Sequence, residues 1–112
     1  MAFTPYHNIR GATAQDNELM AIDDVPKGGV KAIQLTNVDA SASGTVSLYL
    51  YKDSTDTTTE ETYYILHDVV MPHTTSLILD NPNILKFDNT NTGYSLHIEV
   101  GASDEIDVII RK

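Results

Sequence analysis

Cysteine and tryptophan are both absent from the 112 residues. Without cysteine, neither a disulfide framework nor a thiolate metal site can form, which fits assembly in the cytosol. Long apolar runs are missing too, since no stretch approaches the ~18 apolar residues that a membrane helix needs. The start, MAFTPYHNIRGATAQDNELM, lacks the basic end and apolar run of a secretion signal, so a soluble, unprocessed protein is expected. Basic residues are few, seven against sixteen acidic, and the formal charge is −9. That deficit opposes binding to phosphate backbones or anionic lipid, so neither nucleic acid nor membrane is an expected partner. The plain role of the acidity is solubility.

What is present is a period of two. A chain of 112 residues suits one domain. It buries roughly two thirds of its unfolded surface, enough for a core without staples. GTVSLYLYKD sets Val46, Leu48 and Leu50 on one face against Ser47, Tyr49 and Tyr51 on the other. YSLHIEV turns Tyr94, Leu96, Ile98 and Val100 inward, and IDVIIRK does the same with Ile106, Val108 and Ile110, leaving Asp107, Ile109 and Arg111 outside. Less regular candidates are ELMAID at 18–23, VKAIQLTNVD from Val30, TYYILHDVVM from Thr62, SLILD from Ser76 and ILKFD from Ile84. Turn-rich pieces such as PKGG, DASASG, DSTDTTTEE, DNPN and DNTNTG separate them. About eight short strands at this spacing predict an all-β, antiparallel sandwich, Ig-like or jelly-roll-like, rather than a sheet with crossover helices.

The first fifteen residues do not alternate, yet they carry Phe3, Pro5, Tyr6 and Ile9. The expected organisation is an extended N-terminal arm over 1–15 and one sandwich domain over 16–112. The arm either docks on a neighbouring subunit or wraps its own domain and frays.

Chemistry-bearing motifs are sparse. No GxSxG, HExxH, phosphate-cradling glycine loop or EF-hand spacing occurs, and no catalytic residue is assigned. His7, His67, His73 and His97 match no familiar metal spacing, although His67, Asp68 and His73 fall near one strand and its following turn. Asp23 with Asp24, and Asp53, Asp56, Glu60 and Glu61, could offer oxygen ligands to calcium, but a solvated charge run is the simpler reading. No metal and no cofactor is expected. Tyr49, Tyr51 and Tyr63 could line an outward sheet face, where cross-strand packing, a sugar platform or, with Ile109, burial against another chain would each use them.

Three segments, VKAIQLTNVDASASGTVSLYLYKDS, TYYILHDVVMPHTTSLILD and YSLHIEVGASDEIDVIIRK, resemble small virion structural proteins of tailed bacteriophages, including those of marine and cyanobacterial phages. The likeness runs from about Gly28 to Lys112 and rests on framework residues. It implies a non-enzymatic β-sandwich built into the particle in symmetric copies, as a capsid decoration or cement protein or a neck or tail accessory subunit. It further implies a virion location after assembly in the host cytoplasm, a homo-oligomeric state, and other virion proteins, such as major capsid or neck and tail proteins, as partners. A carbohydrate-binding or adhesion module on the virion surface is the alternative. The contact residues expected on this reading are Phe3, Pro5, Tyr6 and Ile9 in the arm and Tyr49, Tyr51 and Ile109 on sheet faces.

Overall fold

The computed structural model describes residues 5–10, 15–24, 30–52, 60–90, 93–101 and 103–111. Eight strands follow one another as β1 (Tyr6–Arg10), β2 (Gln15–Met20), β3 (Ala32–Asn37), β4 (Gly44–Lys52), β5 (Glu61–Met71), β6 (Ser76–Leu79), β7 (Ser95–Val100) and β8 (Glu105–Arg111). A single helical turn, α1 (Pro82–Leu85), lies between β6 and β7.

The strands form two four-stranded sheets, ordered β1-β8-β3-β6 and β2-β7-β4-β5, with every pairing antiparallel. Strand 1 pairs with 8, 2 with 7, 3 with 6 and 4 with 5. The chain is therefore one long antiparallel ribbon, rolled so that its pairs fall alternately into the two sheets. This is the jelly-roll arrangement of a β-sandwich.

Burial follows the alternation. Ile33, Leu35, Ile106, Val108 and Ile110 from one sheet meet Val46, Leu48, Leu96, Ile98 and Val100 from the other in one core. Each is nearly or completely removed from water, which stabilises by about 1.5–3 kcal/mol per large aliphatic side chain. Departures from alternation coincide with bulges. In β2 the register slips between Glu18 and Met20, so consecutive Leu19 and Met20 both enter the core. Strand β5 carries two extra residues relative to β4, one between Leu66 and Val69 and one between Tyr64 and Leu66. At the first of these Asp68 adopts φ 51°, and the Ser47 hydroxyl accepts its amide N–H at 2.9 Å. Such bulges twist the edge of an 11-residue outer strand away from open-ended pairing.

One expectation requires correction. The segment beginning at Ile84 is not a strand: Asn81 precedes a proline suited to a first helical turn, its Oδ1 accepts Asn83 N–H at 2.9 Å, and its carbonyl accepts Leu85 N–H at 3.1 Å. The turn plugs fully buried Leu85 into the core. Of the two courses open to the 1–15 segment, the described residues lie against their own domain. Tyr6–Arg10 is β1, paired residue for residue with β8, Ile9 is 6% exposed in the core, and Gln15 already belongs to β2. The physical reason is that β8 would otherwise be an unpaired edge beside an uncovered core.

Two buried asparagines fasten the loops. Asn37 donates to the carbonyls of Met71 (3.0 Å) and Ala42 (3.2 Å), and Asn89 to those of Tyr94 (2.7 Å) and Ala21 (3.1 Å). Each satisfies backbone groups that irregular chain would leave without partners.

Candidate functional site

Pairing across the sandwich lines up side chains that are far apart in sequence. On the outer face of β1-β8-β3-β6 the register places Tyr6, Ile109, Gln34 and Ile78 in one transverse row. Tyr6 is 69% exposed and Ile78 57%. The next row is polar: Asn8, Asp107, Thr36 and Ser76. There Asn8 Nδ2 donates to Asp107 Oδ1 at 2.9 Å, and the Thr36 and Ser76 hydroxyls lie 2.9 Å apart. The polar row is thus tied within itself, while the apolar row presents a ring and a branched aliphatic chain to solvent.

The outer face of β2-β7-β4-β5 carries a second row, Glu18, His97, Tyr49 and Tyr64, again crossing all four strands. Tyr49 stacks on His97 with ring centroids 5.4 Å apart and lies 5.5 Å from Tyr64, which in turn sits 4.4 Å from His67. Tyr51 meets His97 edge-on at 5.4 Å, and its hydroxyl donates to Glu60 at 2.9 Å. Between the rings and the end of β2 lies an open depression of about 330 Å³, lined by Glu18, Ala21, Ile22, Tyr51, Ser95 and His97.

Serine, histidine and glutamate meet in that depression, yet not as a nucleophilic relay. Ser95 Oγ is 2.8 Å from His97 Nε2, and Glu18 Oε2 approaches the same nitrogen at 3.9 Å. A relay needs its carboxylate on the opposite ring nitrogen, where it fixes the tautomer. The Ser95 hydroxyl moreover donates to the Tyr51 carbonyl at 3.2 Å, which points its proton away from the imidazole. His67 and Asp68 approach to 3.6 Å, but among the described residues no three His, Asp or Glu side chains converge as metal ligands. Asp24 Oδ2 accepts the Ala21 amide at 3.0 Å, closing its own turn, while Asp53 and Asp56 lie outside the described residues.

Electrostatic perturbation is local to turns and one end of the sheet. Hydrogen bonds from the Ser41 and Ala42 amides hold the Asp39 carboxyl below its ordinary range, and the Thr90 hydroxyl and amide do the same for Asp88. Tyr94 donates to Glu61 at 3.0 Å, and this bond, with desolvation and the Glu61 charge, pushes its phenol up to about 12.

Of the expected contact residues, Tyr6 and Ile109 stand side by side on one outer face, and Tyr51 borders the depression on the other. Pro5 is partly buried and its carbonyl accepts the Ile110 amide at 2.8 Å. Ile9 is core, not arm surface, and Tyr49, at 8% exposure, is covered by its neighbours rather than displayed. Phe3 lies outside the described residues. Sequence reasoning passed over Ile78, Gln34, Tyr64 and the place of His97 beside Tyr49. The alternation of SLILD, with Leu77 and Leu79 packed on the core, does put Ile78 outward, but only the register shows which residues it joins. The chain matches no protein-family model, no curated protein and no solved structure.

Proposed function

We propose that the protein is a non-enzymatic structural subunit of a tailed-bacteriophage virion, a capsid decoration or cement protein or a neck or tail accessory subunit, acting through protein–protein contacts as a homo-oligomer. The observation that supports this reading best is the Tyr6–Ile109–Gln34–Ile78 row, which presents exposed apolar side chains at both edges of one sheet. Exposed aromatic and branched apolar groups beside a polar row tied within itself are what a subunit contact buries. The jelly roll is an architecture that viral capsid domains use, although fold alone decides no function. The bacteriophage assignment draws on the likeness of the VSLYLY, LILD and DVIIR strands described above. For the glycan-binding alternative, Tyr49 is not accessible to a sugar ring, whereas Tyr63 and Tyr64 are exposed.

The test is the solution mass of the full chain by light scattering, beside a Tyr6→Ser, Ile78→Ser double variant whose strand content is checked by circular dichroism. A defined oligomer that dissociates in the variant supports the contact row. A monomer in both forms would remove self-assembly from the reading and bring glycan screens forward.

A further inference from the structure

The two sheets differ in charge as well as in position. The strands of β2-β7-β4-β5 contain Asp16, Glu18, Glu61, Asp68 and Glu99 against a single cation, Lys52. Lys52 and its register partner Glu61 share the side of Val46, Leu48 and Leu50 and both meet Tyr94, the lysine Nζ 5.7 Å from its ring, so neither counts toward the outer face. Among the described residues the outer face of this sheet therefore has carboxylates and aromatic rings and no lysine or arginine. Its complement is a cationic partner.

The depression beside His97 narrows the choice of cation. One wall is the Glu18 carboxylate, whose side chain is 52% exposed, and another is the Tyr51 ring, held in place by its hydroxyl's bond to Glu60. Ile22 supplies an apolar flank for an aliphatic stem. A volume of about 330 Å³ is at the small end of ligand cavities, right for one side chain rather than a sugar chain. A carboxylate beside an aromatic ring favours guanidinium over ammonium, because the planar group forks onto the one, stacks on the other and loses less hydration.

We propose that this depression receives the guanidinium of an arginine carried by a partner protein, with Glu18 as its counter-ion and Tyr51 as its stacking surface. The proposal rests on the assembly reading and gives the chemistry of one contact within it.

The test is a ¹⁵N chemical-shift titration of the full chain with N-acetyl-L-arginine methylamide, and with the matching lysine and citrulline compounds. Saturable shifts confined to the neighbourhood of Glu18, Ile22, Tyr51 and His97 are expected, with arginine stronger than lysine and citrulline silent. Glu18→Gln should weaken arginine binding at least about fivefold, and Tyr51→Leu by about two- to fivefold. Shifts spread over the acidic surface, equal response to lysine or citrulline, no response, or an unchanged Glu18→Gln variant would each overturn the proposal. Light scattering keeps the two ideas apart: an oligomer that ignores arginine defeats only the pocket, and a monomer that binds arginine at this place defeats only self-assembly.

Discussion

Replacing Ile9 with alanine is the sharpest probe of how the amino-terminal segment is held. Its side chain is 6% exposed and faces the core from an edge strand opposite Ile106. Truncating a buried isoleucine to alanine costs about 2–5 kcal/mol, from lost transfer energy and the cavity left behind. An edge strand can settle inward and close part of that cavity, so the lower half of the range applies, about 2–3 kcal/mol. With a urea m value of about 1.5 kcal/mol/M for a domain of this size, the unfolding midpoint should fall by about 1.5 M. Asn8→Ser, at an exposed side chain on the same strand but outside the apolar row, should stay within about 0.5 kcal/mol of the parent and serves as the control. Urea unfolding followed by circular dichroism reads both. An Ile9→Ala midpoint matching that of Asn8→Ser would refute the docking of β1 and return the segment to a free arm.

Ser47→Ala removes the hydroxyl that accepts the Asp68 amide at 2.9 Å and donates to Asp68 Oδ1 at 3.3 Å. A loss of about 1–2 kcal/mol is expected in thermal unfolding, because a bulge amide beside a buried serine is left without its acceptor. Ultraviolet titration should show one tyrosine ionising late, at about 12, and Glu61→Gln should bring it back toward 10.0. The sign follows from proton binding: between these values the folded chain keeps a proton that the unfolded chain has lost. The Tyr94 contribution to stability is therefore whole below pH 10 and disappears as pH climbs toward 12. Tyr94→Phe should lose that part of the alkaline slope.

Strands whose inner positions are uniformly apolar were legible from sequence, as Val46–Leu48, Leu96–Ile98–Val100 and Ile106–Val108–Ile110 show. The first strand escaped because an edge position needs little apolar patterning: in YHNIR Ile9 belongs to the buried core while Tyr6 and Asn8 are exposed. ILKFD alternates like a strand, but the Asn-Pro ahead of it supplies a helix start whose local bonds win. For Tyr49 the sequence leaves packing and display both open, because period two marks which side of a sheet a residue faces, not whether that side is wet. Central position between β5 and β7, with Tyr64 and His97 directly opposite, is what covers it. The contact rows were illegible for a related reason, since joining Tyr6 to Ile109 or Glu18 to His97 requires the register between strands remote in the chain.

The rolled ribbon also dictates an order of events during synthesis. Strands β4 and β5, neighbours in sequence, can pair as soon as both exist, whereas β3 must wait for β6, β2 for β7, and β1 for β8. Closing such long loops before any contact rewards them is slow, and the unpaired edges stay open to other chains meanwhile. Residues Tyr6–Arg10 leave the ribosome long before their partner, yet they cannot take their place until Glu105–Arg111 has been made. The earliest made of these eight strands is among the last to be secured, and the sandwich is completed only after β8 has been translated.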